Sequence, residues 1–477
     1  MEITSLRFIT LAVLSVFIYY LLPHRYRTGF LVLISGGFIA SYSLYLLLYV
    51  VLYALVNYFI GQNLPESRYK KMLFRTGIIL NIIQLVLLKY SSFAIDPLLN
   101  SMGIEIQLVK LSEWIIPIGI SYLTLQGIGY LINIKMSWEK PEPDFMNFLL
   151  YFIFFPKFLS GPVERSNHFL RQLKSVQVFD RPQVVQGMRL ILVGLFKKLA
   201  IANQLAPFVN NFYANIDTVQ GSDILMLIII QPMFLYFDFS GYTDIAIGLA
   251  KTFGLDLLPN FNRPFLAENV TNFWKRFHIS LSSWFNDYVF RQTSFRYRRW
   301  GVRASVLAML LTWTLFGIWH GAGWNFMFLG FLQAIAILYE FFTKKLRSVT
   351  FGRMPLSLRT WSGRIVTYLF YGVSLIFFFA PDLGTALNLF PRLFHENRFV
   401  LEGIRPETFF LGVALVVIFM TAEIIGQDTP KLSQRINSLW SGTKPGVKVF
   451  RWAIYFAAIT MIIVLSNEVQ EFIYFQF

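Results

Sequence analysis

The sequence holds no cysteine and little charge, and each absence narrows what it can be. Without Cys among 477 residues there are no disulfides, no thiolate nucleophile and no thiolate metal site, and the redox compartment stays undecided. Only 14% of residues are charged and five are His, too little polar surface for a water-soluble domain of this length. Acidic residues are the scarcer sign, 26 against 42 Lys and Arg, giving a net charge of +16. Such a balance can mark a nucleic-acid binder, but here the cations fall in short, scattered clusters between apolar runs, which excludes that partner. They follow the pattern of cytoplasmic loops under the positive-inside rule. No internal repeat is visible, which weighs against a repeat-built secondary transporter. No tight ligand spacing such as HxxxH occurs, so no metal site is expected.

What is present is apolar and aromatic. Hydrophobic residues make up 56% of the chain, with 51 Phe, 23 Tyr and 11 Trp, and the mean hydropathy is +0.55. Runs of about 20 apolar residues, enough to cross a bilayer, recur along the whole length. The first, Leu6 to Leu22, is followed by His24, Arg25 and Arg27 and shows no small-residue cleavage site, so it reads as a retained helix. Taking basic clusters as cytoplasmic, the spans alternate through 29–43, 45–60, a helix leaving near Gly77 toward an outer loop with Asp96 and Glu105, and 114–133. They continue through 187–205, 224–250, 305–320, 325–342, 365–381, 409–425 and 452–464, with both ends outside. The run 145–159 is short and broken by Pro156, Gly161 and Pro162, which predicts a re-entrant segment. Residues 251–303, rich in aromatics and Arg, predict an intracellular, partly interfacial helical segment. The expectation is an all-α polytopic membrane protein with about 11–12 transmembrane helices. It is read as one integral-membrane domain over residues 1–477 with a core at about 115–342.

Ionisable groups inside apolar helices are costly to bury, and each is a functional candidate. His320 is the sharpest. It ends Leu311-Thr-Trp-Thr-Leu-Phe-Gly-Ile-Trp-His320 and is followed by Gly321-Ala-Gly-Trp324. Glycines there permit a bend and close approach of a substrate, Trp319 and Trp324 are expected to exclude water, and a neutral imidazole accepts a proton as a general base must. A hydrogen-bonded structural histidine at a helix break fits the same local sequence. His278 is second, in Trp274-Lys-Arg-Phe-His278-Ile-Ser-Leu-Ser-Ser-Trp284. At helical spacing Trp274, His278 and Leu281 share a face; by itself this segment is better explained as an amphipathic interfacial helix with an incidental polar residue. Asp238 and Asp244, near the end of an apolar helix, are six residues apart and do not share a face, so capping or a salt bridge to a nearby Arg is the expected role. Arg291, Arg296, Arg298, Arg299 and Arg303 form the densest basic patch, suited to the phosphates of a donor such as coenzyme A or to anionic lipid.

These segments resemble the membrane-bound O-acyltransferase (MBOAT) family, above all its bacterial branch that O-acetylates alginate and, more distantly, the branch that D-alanylates teichoic acid. The resemblance is carried by Pro117-Ile-Gly-Ile-Ser121, Phe154-Phe-Pro-Lys-Phe-Leu-Ser-Gly-Pro162, Gly194-Leu-Phe-Lys-Lys198 and Phe237-Asp-Phe-Ser-Gly-Tyr-Thr-Asp-Ile-Ala-Ile-Gly248. It continues in Asn260-Phe-Asn-Arg-Pro-Phe265, Phe273-Trp-Lys-Arg-Phe-His-Ile-Ser-Leu-Ser282, Trp319-His-Gly-Ala-Gly-Trp324 and the terminal Phe472-Ile-Tyr-Phe-Gln-Phe477. It implies a helical ring around a tunnel, with His320 as the catalytic histidine and His278 as the second signature histidine. Trp274, Lys275, Arg276, Asp287, Trp319, Trp324, Asp238, Asp244 and Arg291 are the implied substrate or donor contacts. No permanent cofactor is implied. Acetyl-CoA is the implied donor substrate, a periplasmic or extracellular acetyltransferase-like protein the partner, a polysaccharide the final acceptor, and the bacterial cytoplasmic (inner) membrane the location, in contact with membrane lipid. The chain departs from the family pattern at Asn133, where Asp is common, at Lys157, where a neutral residue or His is common, and in Arg291-Gln-Thr-Ser-Phe-Arg296 after Asp287-Tyr288. A transporter or flippase of a lipid-linked sugar is the rival reading; it requires charged pore residues such as Asp238 and no covalent chemistry.

Overall fold

The computed structural model describes residues 3–95, 101–102, 119–159, 161–395, 405–442 and 444–466. Among them the chain is helical, and its sole β feature is an isolated antiparallel bridge between Phe261 and Phe277. Among the described residues eight helices are long and apolar enough to span a bilayer: Leu44–Asn63, Lys70–Lys89, Ser222–Thr252, Val302–His320, Trp324–Thr350, Leu356–Phe379, Pro406–Asp428 and Pro445–Leu465. A shorter apolar helix covers Leu6–Leu21. The protein is therefore an all-α, multi-pass membrane protein.

The differences from the expected spans have local causes. His24–Ala40 has 17 residues and begins with His24, Arg25 and Arg27, short of the about 20 apolar residues a crossing needs. The stretch expected as one span over 187–205 is instead three pieces: a helix Arg181–Leu195, a π-helical turn Phe196–Ala202, and a helix Asn203–Ala214 with Pro207 inside it. The wider π turn marks where two lysines, Lys197 and Lys198, are buried. Phe145–Ile153 breaks at Phe154 before a four-residue helix Phe155–Phe158 containing Pro156, as the proline implies. Asp96, Glu105, Pro117, Ile118, Ser160 and the terminal Phe472–Phe477 segment lie outside the described residues.

The chain divides into two compact units. The first comprises Met1–Ile191, Thr243–Asn260 and Ser280–Gly323, the second Leu192–Tyr242, Phe261–Ile279 and Trp324–Phe477. Lipid tails give helices little hydrophobic reason to associate, so small residues and polar bonds must hold them. In the first unit Asn81 donates to Asn57 Oδ1 (2.9 Å) and to Gly77 O (2.8 Å), and Tyr53 Oη donates to Leu123 O (3.0 Å). Gly127 sits against this cluster, where a Cβ would lie 2.6 Å from Asn81 Oδ1, so only glycine allows the approach.

The second unit is tied by charged and polar pairs. Arg364 grips Asp428 through two bonds of 2.5 and 2.7 Å, and Tyr236 Oη donates to Glu423 Oε1 at 2.6 Å. Asp238 is not near a helix end and its partner is not an arginine: Ser222–Thr252 continues for 31 residues, Asp238 lies near its middle with no exposed surface, and it pairs with Lys198. By contrast Pro445–Leu465 buries none of its residues, as fits a helix whose faces meet lipid.

The ion pair yields a test. Asp238→Ala strands a buried ammonium and is expected to cost about 3–5 kcal/mol, whereas Lys198→Met/Asp238→Leu should recover most of that loss. Thermal unfolding in detergent measures both; equal destabilisation by the single and double variants would show that the pair is not what Asp238 contributes.

Candidate active site

Val302–His320 ends on the imidazole of interest. A helix leaves its last carbonyls without intrahelical donors, and here they are met from another helix. Lys89 Nζ, at the end of Lys70–Lys89, donates to Trp319 O (3.0 Å) and His320 O (2.9 Å), and Tyr90 Oη donates to Ile318 O (2.6 Å). A cation at this end also opposes the helix dipole. The His320 ring is 7% exposed, with the rings of Phe316 and Trp319 at centroid distances of 5.0 and 4.9 Å. Trp319 is fixed in turn: its indole N–H donates to Ser121 O (3.3 Å) and Tyr122 meets it edge-on at 5.3 Å. Of the two tryptophans expected to exclude water, Trp319 is buried. Trp324, 58% exposed at the start of the next helix, does not do so, because its position begins a new helix with the side chain outward.

His278 is not on a helix with Trp274 and Leu281, contrary to the spacing argument. The Val270–Trp274 helix ends, the chain turns through Lys275–His278, and a new helix starts at Ile279. The cause is a crossing of chain: Phe277 bridges Phe261, and Asn262 N–H donates to Arg276 O at 2.9 Å. His278 takes a left-handed φ of +47°, a conformation costly for a side-chain-bearing residue and concentrated at functional sites. Its ring is fully buried, edge-on to Phe239 at 4.7 Å. Burial pushes its pKa down to about 3, so the imidazole is neutral at physiological pH.

The remaining candidates separate. In the second unit the Trp274 indole donates to Gln333 Oε1 (3.1 Å), while Arg276 turns away to Asn272 Oδ1 (3.2 Å) and Gln427 Oε1 (2.6 Å). Lys275 is exposed. In the first unit Asp287 joins Arg165 (3.4 Å) and Arg291 (3.3 Å), and Asp244 is half-buried. Arg291, Arg296, Arg298, Arg299 and Arg303 are all exposed. His278 belongs to the second unit and His320 to the first.

The two single-residue departures from the family pattern, Asn133 and Lys157, are both buried. Asn133 is buried and accepts from Tyr288 Oη (2.8 Å), while its amide lies 3.4 Å from Glu139 Oε1, which also accepts from Ser166 Oγ. A carboxylate thus stands beside position 133 even though the residue itself is an amide. Burial raises the Glu139 pKa to about 7, against the opposing pull of Ser166 and Asn133. Lys157, also buried, is held over the rings of Tyr151 (4.8 Å) and Phe169 (5.3 Å). The sequence argument missed Lys89, Tyr90 and Glu139. For Lys89 a signal existed, a single cation closing the apolar run Ile82–Leu88, but nothing local tells which helix it caps.

Lys89→Met removes donors from two buried carbonyls and should destabilise the protein by about 1–3 kcal/mol, with faster amide exchange in a peptide covering 313–324. Lys89→Arg should restore most of the protection; unchanged exchange in Lys89→Met would refute the cap. Glu139 holds its proton more tightly folded than unfolded, so its contribution is full below the unfolded value and is lost as pH rises through about 7. Glu139→Gln should match wild type in thermal midpoint near pH 4 and exceed it near pH 8. A pH-independent difference would contradict the burial.

Comparison with known proteins places this geometry. The sequence pattern of the MBOAT, membrane-bound O-acyltransferase family matches residues 106–380, which include both histidines. A probable alginate O-acetylase AlgI of Azotobacter vinelandii is 27% identical over 434 residues, covering 86% of this chain and 83% of that protein. A peptidoglycan O-acetyltransferase of Helicobacter pylori is 28% identical, over 75% of this chain and 72% of its own. A teichoic acid D-alanyltransferase of Bacillus subtilis is 30% identical over 48% of this chain and 60% of its own. With more than half of its length matched by the family pattern, the chain belongs to the membrane-bound O-acyltransferase family and is an O-acyltransferase.

Proposed function

We propose that the protein takes an acetyl group from a cytoplasmic thioester, with acetyl-CoA as the donor substrate, and passes it across a bacterial cytoplasmic membrane for O-acetylation of an external polysaccharide. A periplasmic or extracellular acetyltransferase-like partner completes the transfer. Relatives that bear the names alginate O-acetylase and peptidoglycan O-acetyltransferase support the acyl group and the acceptor class. The observation that carries the reading is the His320 imidazole, set at the capped end of a spanning helix among aromatic rings.

In this reading the acceptor hydroxyl gives its proton to His320 as its oxygen attacks the thioester carbonyl. The C–S bond breaks, the proton passes from the imidazolium to the departing thiolate, and an acetyl ester and a free thiol remain. The cap formed by Lys89 and Tyr90 fixes the backbone that carries the ring, which matters because small misplacements of a catalytic group are expensive in rate. His278, kept neutral by burial, orients its surroundings and does not supply charge. Asp238, on which transport without acyl chemistry would depend, is already committed to Lys198.

His320→Ala should lower thiol release from labelled acetyl-CoA, and external ester content, by about 10²–10⁴-fold with the amount of protein in the membrane unchanged. Wild-type ester content in that variant would defeat the assignment.

A further inference from the structure

Within the second unit, helices Trp324–Thr350 and Leu356–Phe379 enclose a half-open groove of about 770 Å³, within the about 300–1,000 Å³ of small-molecule sites. The segment Glu268–Val270 forms its floor, brought close because Gly363 has no side chain: a Cβ there would lie 2.6 Å from Glu268 O. The lining residues change character along the groove. Leu332, Ile335 and Ala336 on one helix face Val366 and Phe370 on the other. Toward the loop the lining becomes Lys344, Arg347 and Arg359.

The carboxylates near this mouth are already engaged. Glu340 accepts from Val270 N (2.6 Å), Thr271 N (2.9 Å) and Thr271 Oγ1 (2.5 Å), and Glu268 from Thr360 Oγ1 (3.4 Å). Arg347 is tied down by Glu340 O (2.8 Å) and Thr343 Oγ1 (3.1 Å). Lys344 and Arg359 are exposed and form no ion pair among the described residues. From Leu332 to Ser348 the lined face rises about 24 Å, and from Arg359 to Phe370 about 17 Å, at 1.5 Å per residue. One leaflet of a hydrocarbon core is roughly 15 Å deep. An apolar channel one leaflet deep that opens on free cations has the polarity profile of a phospholipid, chain below and phosphate above. The basic loop Lys344–Arg364 puts that mouth on the cytoplasmic side by the positive-inside rule.

We propose that this groove is a binding site for one anionic phospholipid of the cytoplasmic leaflet, its phosphate held by Lys344 and Arg359 and an acyl chain lying against Ala336 and Val366. A soluble phosphate ligand such as coenzyme A would use the same cations but leave the apolar wall without an occupant, so the lipid is favoured. The site does not depend on the proposed acetyl transfer.

The test uses the full chain in neutral detergent, titrated with dioleoylphosphatidylglycerol, dioleoylphosphatidylcholine or coenzyme A while the unfolding midpoint is followed. Phosphatidylglycerol should raise the wild-type midpoint by roughly 3 °C beyond phosphatidylcholine, and high salt should reduce the difference. Lys344→Gln/Arg359→Gln should abolish it, and so should Ala336→Trp, which fills the groove while leaving the cations in place. Equal responses to both lipids, persistence of the difference in both variants, or a response to coenzyme A in place of phosphatidylglycerol would each overturn the proposal. Should either variant fail to fold, the wild-type contrast among the three ligands decides the matter.

Discussion

A helix that ends in apolar surroundings exposes carbonyls that lipid cannot satisfy, and that constraint governs the part of this molecule that bears His320. Two helices far apart in sequence meet where Lys89 and Tyr90 supply donors to the carbonyls of Ile318, Trp319 and His320. The bonds stop the helix at a defined residue, and the defined residue is the histidine. A side chain at a frayed terminus would sample many positions. Here the backbone under the imidazole is tied, Trp319 is pinned to Ser121 O, and the ring lies against Phe316 and Trp319.

The same accounting explains where charge is tolerated elsewhere. Lys198 and Asp238 are buried as a pair, Arg364 and Asp428 form a two-bond fork, and Glu340 spends its oxygens on backbone N–H groups and a hydroxyl of the Val270–Trp274 helix. Each replaces water that these groups would otherwise require. Two exposed cations stand apart: Lys344 and Arg359 form no ion pair among the described residues and are available to ligands or headgroups. Paired charge holds the fold together, and an exposed cation without an ion pair is free to meet something else.

The spans were legible because hydropathy is summed over about 20 residues and few contexts override it. The break at Pro156 was legible because a missing N–H is a property of the residue. His320 was legible as a polar side chain at the junction of an apolar run and two glycines. Other features depend on chain distant in sequence and could not be read locally. Lys89 meets a helix end 231 residues later. The turn through His278 is imposed by the strand-like contact of Phe261 with Phe277, which converts an apparent helical face into a reversal. Glu139 stands beside Asn133 because Met136–Lys140 curls back on its own helix, where Ser137 adopts a φ of +59°; a position-by-position reading sees only the lost carboxylate.

The two histidines illustrate how one side chain serves two purposes. His278 is sealed, neutral and held in a left-handed backbone conformation, so it cannot gain a proton cheaply and is suited to fixing geometry. His320 is nearly as buried, but it stands at a helix terminus, where the backbone stops and a glycine follows. In the proposed transfer a base must take the acceptor's proton and hand it on to the leaving group, which demands a ring held in one place. The rings of Phe316 and Trp319 fix the face that the imidazole presents, and the tied carbonyls of Trp319 and His320 fix the backbone beneath it. Under the proposed reaction, the helix end that is costly to terminate in lipid is therefore also what holds the ring in position.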